Sequence, residues 1–145
     1  MIGEKSVLLV ALVSYQFDFD PTNGIVRCRF EGSVTDEEIK NYYRDSARVY
    51  ASTDGLVSAL TDFSSVTSFD VSGQTMLDLA SSTPALPDPE KVRVIVAPTP
   101  VAYGLSRMFE IAGERTRPNL HVVKTEREAW AILGVWEPKF EPLQQ

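Results

Sequence analysis

Ala59-Leu60-Thr61-Asp62-Phe63-Ser64-Ser65-Val66-Thr67-Ser68-Phe69-Asp70-Val71-Ser72-Gly73 is the stretch whose reading decides the fold. It reads as the end of a buried strand, a short loop and the start of a helix. The apolar run Leu56 to Leu60 suits a strand covered on both faces. Met76, Leu79 and Ala80 then recur at helical spacing behind Ser72-Gly73. In open α/β sheets, ligands and chemistry collect at such strand-to-helix corners, outside the carboxyl ends of the strands.

Downstream, Ser81-Ser82-Thr83-Pro84 stops that helix, and Pro84, Pro87 and Pro89 stiffen a surface loop. Val92 to Ala97 is a strand. Thr99 is an N-cap with Pro100 at the first helical position, and the helix that follows is expected to bury Val101, Leu105, Met108, Phe109 and Ala112. Leu120 to Val123 is a further short strand. Thr125-Glu126-Arg127-Glu128 is a capping box before Ala129, Trp130, Ile132 and Leu133, with Gly134 as the closing residue.

Upstream, Tyr15, Phe17 and Phe19 alternate with Gln16, Asp18 and Asp20, the period of a half-buried strand. The turn Asp20-Pro21-Thr22-Asn23-Gly24 leads into Ile25 to Gly32, where Val26, Cys28 and Phe30 face one way and Arg27, Arg29 and Glu31 face solvent. These two strands form an antiparallel hairpin. Thr35-Asp36-Glu37-Glu38 is a second capping box, opening a helix with Ile39, Tyr42, Tyr43, Ser46, Ala47 and Tyr50 on its apolar face. Asp54-Gly55 ends it.

The expected order is β-β-α-β-α-β-α-β-α. That order implies an α/β domain with a mixed, mainly parallel sheet of about five strands, opening with an antiparallel hairpin and carrying about four helices. One domain spans 1–145, with its core at about 14–135, an apolar extension at 1–13 and a Pro/Glu-rich extended or frayed end at 137–145.

The 145 residues carry a net charge of -6, which disfavours nucleic acid as a partner. Hydrophobic residues make up 43 % and charged residues 23 %, the balance of an ordinary globular chain. The one cysteine, Cys28, excludes an internal disulfide and fits a reducing cytoplasm. The apolar run Val7 to Val13 is far shorter than the roughly 20 residues that span a bilayer. It follows Lys5 as a signal-peptide core would, but no small-x-small cleavage site comes after it. It extends the first strand, forms a short helix, or pairs with a second copy in a homodimer.

Asp62-Phe63-Ser64-Ser65-Val66 leading into Asp70-Val71-Ser72-Gly73 resembles the STAS domains of the anti-sigma-factor-antagonist type. There a strand ends in an Asp-Leu-Ser-like segment, and Asp-Ser-Ser-Gly heads the next helix. The serine before that glycine is the phosphorylated switch, a slot held here by Ser72. Asp70 matches the family's aspartate, whereas Val71 departs from its first serine. The second half, with a strand ending in Ala97-Pro98, the helix segment Tyr103-Gly104-Leu105-Ser106-Arg107-Met108-Phe109 and the pair Ala129-Trp130, is similar to a SpoIIAA-like branch of mostly uncharacterised proteins. The resemblance covers about residues 14–135 and implies a STAS/SpoIIAA-like fold. Some members of that branch look like apolar-ligand-binding domains.

Two readings fit Ser72. A phosphate there would lie at a helix N-terminus, stabilised by free N–H groups and the dipole, with Asp70 opposing it. An N-cap role accounts for the same serine without any partner. Tyr103 and Arg107, four apart on one helix, could offer a polar handle to a groove floored by Met108 and Phe109, or simply pack on each other. The lone His121 has no second ligand nearby for a metal. Ser106 lacks the glycines and strand-to-helix turn of a nucleophile elbow, and no glycine-rich phosphate loop occurs.

The expectation is a cytoplasmic, non-enzymatic regulatory module without cofactor or metal. It would bind a protein partner through Asp62, Ser64, Ser65, Asp70, Ser72 and Gly73, gated at Ser72. The alternative is a carrier of a small apolar ligand, a lipid or fatty acid. That ligand would lie between the third helix and the sheet, with Tyr103, Arg107, Met108 and Phe109 forming the groove.

Overall fold

The computed structural model describes residues 14–143. The apolar extension at 1–13, and with it the expected homodimer contact, lies outside the described residues. The chain opens with β1 (Tyr15–Asp20) and β2 (Ile25–Thr35), antiparallel from Tyr15 opposite Phe30 to Asp20 opposite Ile25. Asp20 builds the turn between them. Its carboxylate accepts the Thr22 and Asn23 backbone N–H groups at 3.0 and 3.1 Å and the Asn23 side-chain amide at 2.7 Å, and Gly24 takes the left-handed conformation at φ 65°. There follow α1 (Asp36–Ala51), β3 (Ser58–Asp70), α2 (Gly73–Ala80), β4 (Arg93–Val96), α3 (Pro100–Ala112), β5 (Leu120–Val123), α4 (Glu126–Leu133) and β6 (Glu141–Pro142).

The strands form one six-stranded sheet in the order β5-β4-β3-β2-β1-β6. Pairing is parallel from β2 to β5 and antiparallel at β1–β2 and β1–β6. The fold class is therefore α/β, with four helices among the described residues. Thr35, Ser72, Thr99 and Thr125 each cap a helix by accepting a backbone N–H three residues on.

Period-two alternation divides the buried apolar strand residues between two cores. Phe17, Cys28, Phe30, Ala59, Phe63 and Ile95 pack with Ile39, Tyr50, Met76 and Ala102 from α1, α2 and α3. Ile25, Leu60, Val94, Val96 and Val123 pack on the opposite face with Ala129, Trp130 and Phe140. Covering both faces is what a mainly parallel sheet requires.

Four expectations are corrected. The segment after Leu60 is not a short loop, because β3 continues to Asp70. Gly32, at φ 73°, and register shifts on both sides of it let β2 keep pairing as far as Thr35 opposite Asp70. The β-branched and aromatic residues Val66, Thr67 and Phe69 suit that strand, and the Phe69 ring lies 4.9 Å from Phe63. Second, the tail is anchored: β6 pairs with β1, and Phe140 lies 3.8 Å under the Arg27 guanidinium. Third, β1 is not the half-buried strand its alternation suggests: Asp18 and Asp20, opposite the aromatic face, are buried at 6 % and 1 % exposure. Asp18 accepts Arg27 Nε and Nη2 at 2.8 and 2.7 Å across the hairpin, so Arg27 does not face solvent. Fourth, α3 buries Ala102 and Ser106, while Val101, Met108 and Ala112 are exposed. Small side chains at 102 and 106 let the helix approach its neighbours closely, which turns the larger ones outward.

Candidate functional site

At the corner, Ser72 is exposed at the head of α2, and its Oγ accepts the Thr75 N–H at 3.1 Å. The Ser72 backbone N–H donates to Asp36 Oδ1 at 2.7 Å, so the first turn of α1 supplies a carboxylate to the N-terminus of α2. That hydrogen bond, against a smaller opposing effect of desolvation, holds the Asp36 carboxyl below its ordinary range. A Cβ on Gly73 would meet Met108 Cε at 3.4 Å, so α2 and α3 approach closely there.

Asp70, Ser72 and Gly73 are thus neighbours at the carboxyl end of β3. Asp62, Ser64 and Ser65 are not part of that corner. Asp62 and Asp70 are eight positions apart along the strand, an extended span of roughly 25 Å. Asp62 is buried, and its Oδ1 accepts the Ser64 N–H at 2.9 Å, while Ser64 and Ser65 are exposed. The six residues are close in sequence, but Asp62, Ser64 and Ser65 fall in the middle of β3 while Asp70, Ser72 and Gly73 lie at and beyond its carboxyl end.

The expected groove residues also separate. Tyr103 is half-buried against the core, with Lys124 Nζ 4.7 Å from its ring. Arg107 pairs with Glu110 one turn on, and Met108 touches Gly73. Of the four, Phe109 alone lines the cavity on the inner face of the sheet.

That cavity, about 90 Å³ and open on one side, lies between α1, the 84–86 segment, Phe109 of α3 and the inner face of the sheet. Ile39, Leu79, Leu86, Ile95 and Leu120 give it an apolar wall. Its polar groups are Tyr42, Tyr43, Ser46, Tyr50, Thr61 and two arginines, Arg93 and Arg117, which are 6 % and 3 % exposed. Neither arginine has a carboxylate within salt-bridge distance among the described residues.

Backbone carbonyls hold both arginines instead. Arg93 Nη1 donates to the Lys91 carbonyl at 2.7 Å, and Nη2 donates to those of Asp88, at 2.8 Å, and Leu86. Arg117 Nη1 donates to the Ala80 carbonyl at 2.9 Å, and Nη2 to the Tyr43 hydroxyl at 2.6 Å and to the Leu79 carbonyl at 3.2 Å. Arg117 therefore caps the C-terminal end of α2, where the dipole favours a cation. Its guanidinium also stacks over Phe109 at 4.9 Å. Burial, followed by the nearby Arg117 charge, draws the Arg93 pKa down.

The Tyr42 hydroxyl and Thr61 Oγ1 share a hydrogen bond of 2.6 Å. The Tyr50 hydroxyl makes no hydrogen bond among the described residues, and burial pushes its pKa up.

Sequence reasoning missed Tyr42, Tyr50, Arg93 and Arg117 as site residues. Arg93 alone left a signal, a charge at an inward position of an otherwise apolar strand. Among the described residues there is no group of three His, Cys, Asp or Glu able to hold a metal, and no helix long and apolar enough to cross a membrane. No family model matches the chain, and no curated protein matches it.

Proposed function

We propose that the protein is a non-enzymatic binding module whose ligand is a small, mainly apolar molecule held in the cavity between α1, α3 and the sheet. The observation that carries this reading is the cavity itself, a concave apolar space with a few convergent polar groups, which is the usual form of a ligand site. A packed core leaves few voids larger than a water molecule, and a water needs only about 10–15 Å³. At about 90 Å³ the space exceeds that several times. It is below the ~150 Å³ that accommodates benzene, so a compact ligand of a few carbons suits it better than a long acyl chain.

The test is native mass spectrometry of the full chain purified from its own host, alongside Ala85→Phe, which fills the cavity from the half-buried position 85 in its wall. A small adduct on the wild type that is lost in the folded variant supports the reading. An adduct of equal occupancy on both contradicts it.

A second reading, a STAS-type regulatory module gated at Ser72, draws on the exposure of Ser72 and on the apolar residues near it. Leu77, Met108 and Ile111 are exposed on α2 and α3, at 41 %, 38 % and 62 %. A phosphate on Ser72 would bring about two negative charges beside Asp36 and Asp70. Ser72→Asp keeps a capping side chain and should alter partner binding with the fold intact. Unchanged capture of every recovered protein partner would count against it.

A further inference from the structure

We infer that the cavity ligand is an anion, a small branched-alkyl carboxylate whose charged head meets Arg93, Arg117 and Tyr50. The inference rests on the cavity being a ligand site and adds the chemical class of what fills it. Two guanidiniums line one small space, and no carboxylate among the described residues lies within salt-bridge distance of either; Asp88 acts on Arg93 only from beyond that range. Guanidinium groups remain protonated in proteins. The half-charge at the end of α2 offsets only part of the two charges.

The hydrogen-bond inventory points the same way. A guanidinium has five N–H donors. The carbonyls of Leu86, Asp88 and Lys91 take three from Arg93, which leaves its Nε–H and one Nη1–H without a partner among the described residues. Arg117 directs both Nη groups to Leu79, Ala80, Ser82, Tyr43 and Thr116, which leaves its Nε–H. The Tyr50 hydroxyl, on a side chain 6 % exposed, is a further unengaged donor.

The unengaged polar groups of these three residues are thus donors, and none is a charged acceptor. An ionised carboxylate is their complement, since it only accepts and presents about four lone-pair sites. An ammonium would oppose both arginines, and an alcohol would satisfy fewer of the donors and none of the charge.

The experiment compares three nearly isosteric probes by calorimetric titration into the full chain at pH 7: 3-methylbutanoate, 3-methylbutan-1-ol and 3-methylbutylammonium. The carboxylate is expected to bind at least about tenfold more tightly than the alcohol, and the ammonium not at all, because charge-assisted hydrogen bonds are about twice as strong as neutral ones.

Tyr50→Phe removes a donor that holds no other part of the fold. It should weaken the carboxylate about tenfold and leave the alcohol unchanged. Arg93→Met tests the charge directly, but Arg93 also holds the 86–91 segment, so Tyr50→Phe carries the result if that variant does not fold. Equal affinity for carboxylate and alcohol would overturn the anion inference while leaving the apolar site standing. Binding of none of the three at millimolar concentration would overturn both.

Discussion

Ser72 shows how one residue serves local structure whatever else it does. Its Oγ caps α2, so Ser72→Ala should cost about 1 kcal/mol in urea denaturation. Its backbone N–H fixes Asp36, and this sets a pH dependence. The Asp36 carboxyl is held below its ordinary value by that hydrogen bond, so its folded pKa lies under its unfolded one. Its contribution is therefore complete above about pH 4 and is lost as the pH falls through the lowered folded value. Asp36→Asn should flatten the stability profile below about pH 4 and leave its slope between pH 6 and 8 unchanged. Urea midpoints across that range would show it, and an unaltered acid limb would contradict the assignment. The caps at Thr35, Thr99 and Thr125 were legible in the sequence because a cap is settled within four residues. The burial of Asp18 was not, because its cover arrives from Phe140, more than a hundred residues along the chain.

Among the elements, α3 separates pattern from packing most sharply. Its sequence admits two faces, one led by Val101 and Met108 and one by Ala102 and Ser106, and hydrophobicity alone favours the wrong one. The observed face predicts that Ala102→Leu, a methylene-rich insertion at a fully buried position, costs about 1–3 kcal/mol. Val101→Lys on the exposed side should stay within about 0.5 kcal/mol. The reverse pattern in thermal or urea denaturation would show the helix to be rotated. β3 makes a similar point. Its serines at 64, 65 and 68 resemble a loop, yet they are outward residues of a strand that Phe63 and Phe69 hold from the inner side. The corner after β3 was therefore correctly placed, while the length of strand leading to it was not legible. Strand continuation depends on β2, whose bulge at Gly32 keeps the two in register.

Across the whole molecule, the strand and helix alternation fixed the α/β class, the opening hairpin and the four helices. It could not disclose the sixth strand, which has two residues and no pattern of its own. Phe140→Ala should cost about 1–2 kcal/mol through lost burial and the lost contact with Arg27, and denaturation of that variant would measure how far the tail supports the hairpin. The cavity also exists only at this scale. It joins Tyr50 of α1, Arg93 of β4, Phe109 of α3 and Arg117 before β5, four places with no sequence spacing in common. The measurement that tests its role most directly is methyl-resolved NMR of the full chain during titration with 3-methylbutanoate. Saturable shifts concentrated at Ile39, Leu79, Leu86, Ile95 and Leu120, and abolished in folded Ala85→Phe, are the predicted result. Shifts that never saturate, or that appear instead at Leu77, Met108 and Ile111 on the outer face of α2 and α3, would contradict the account.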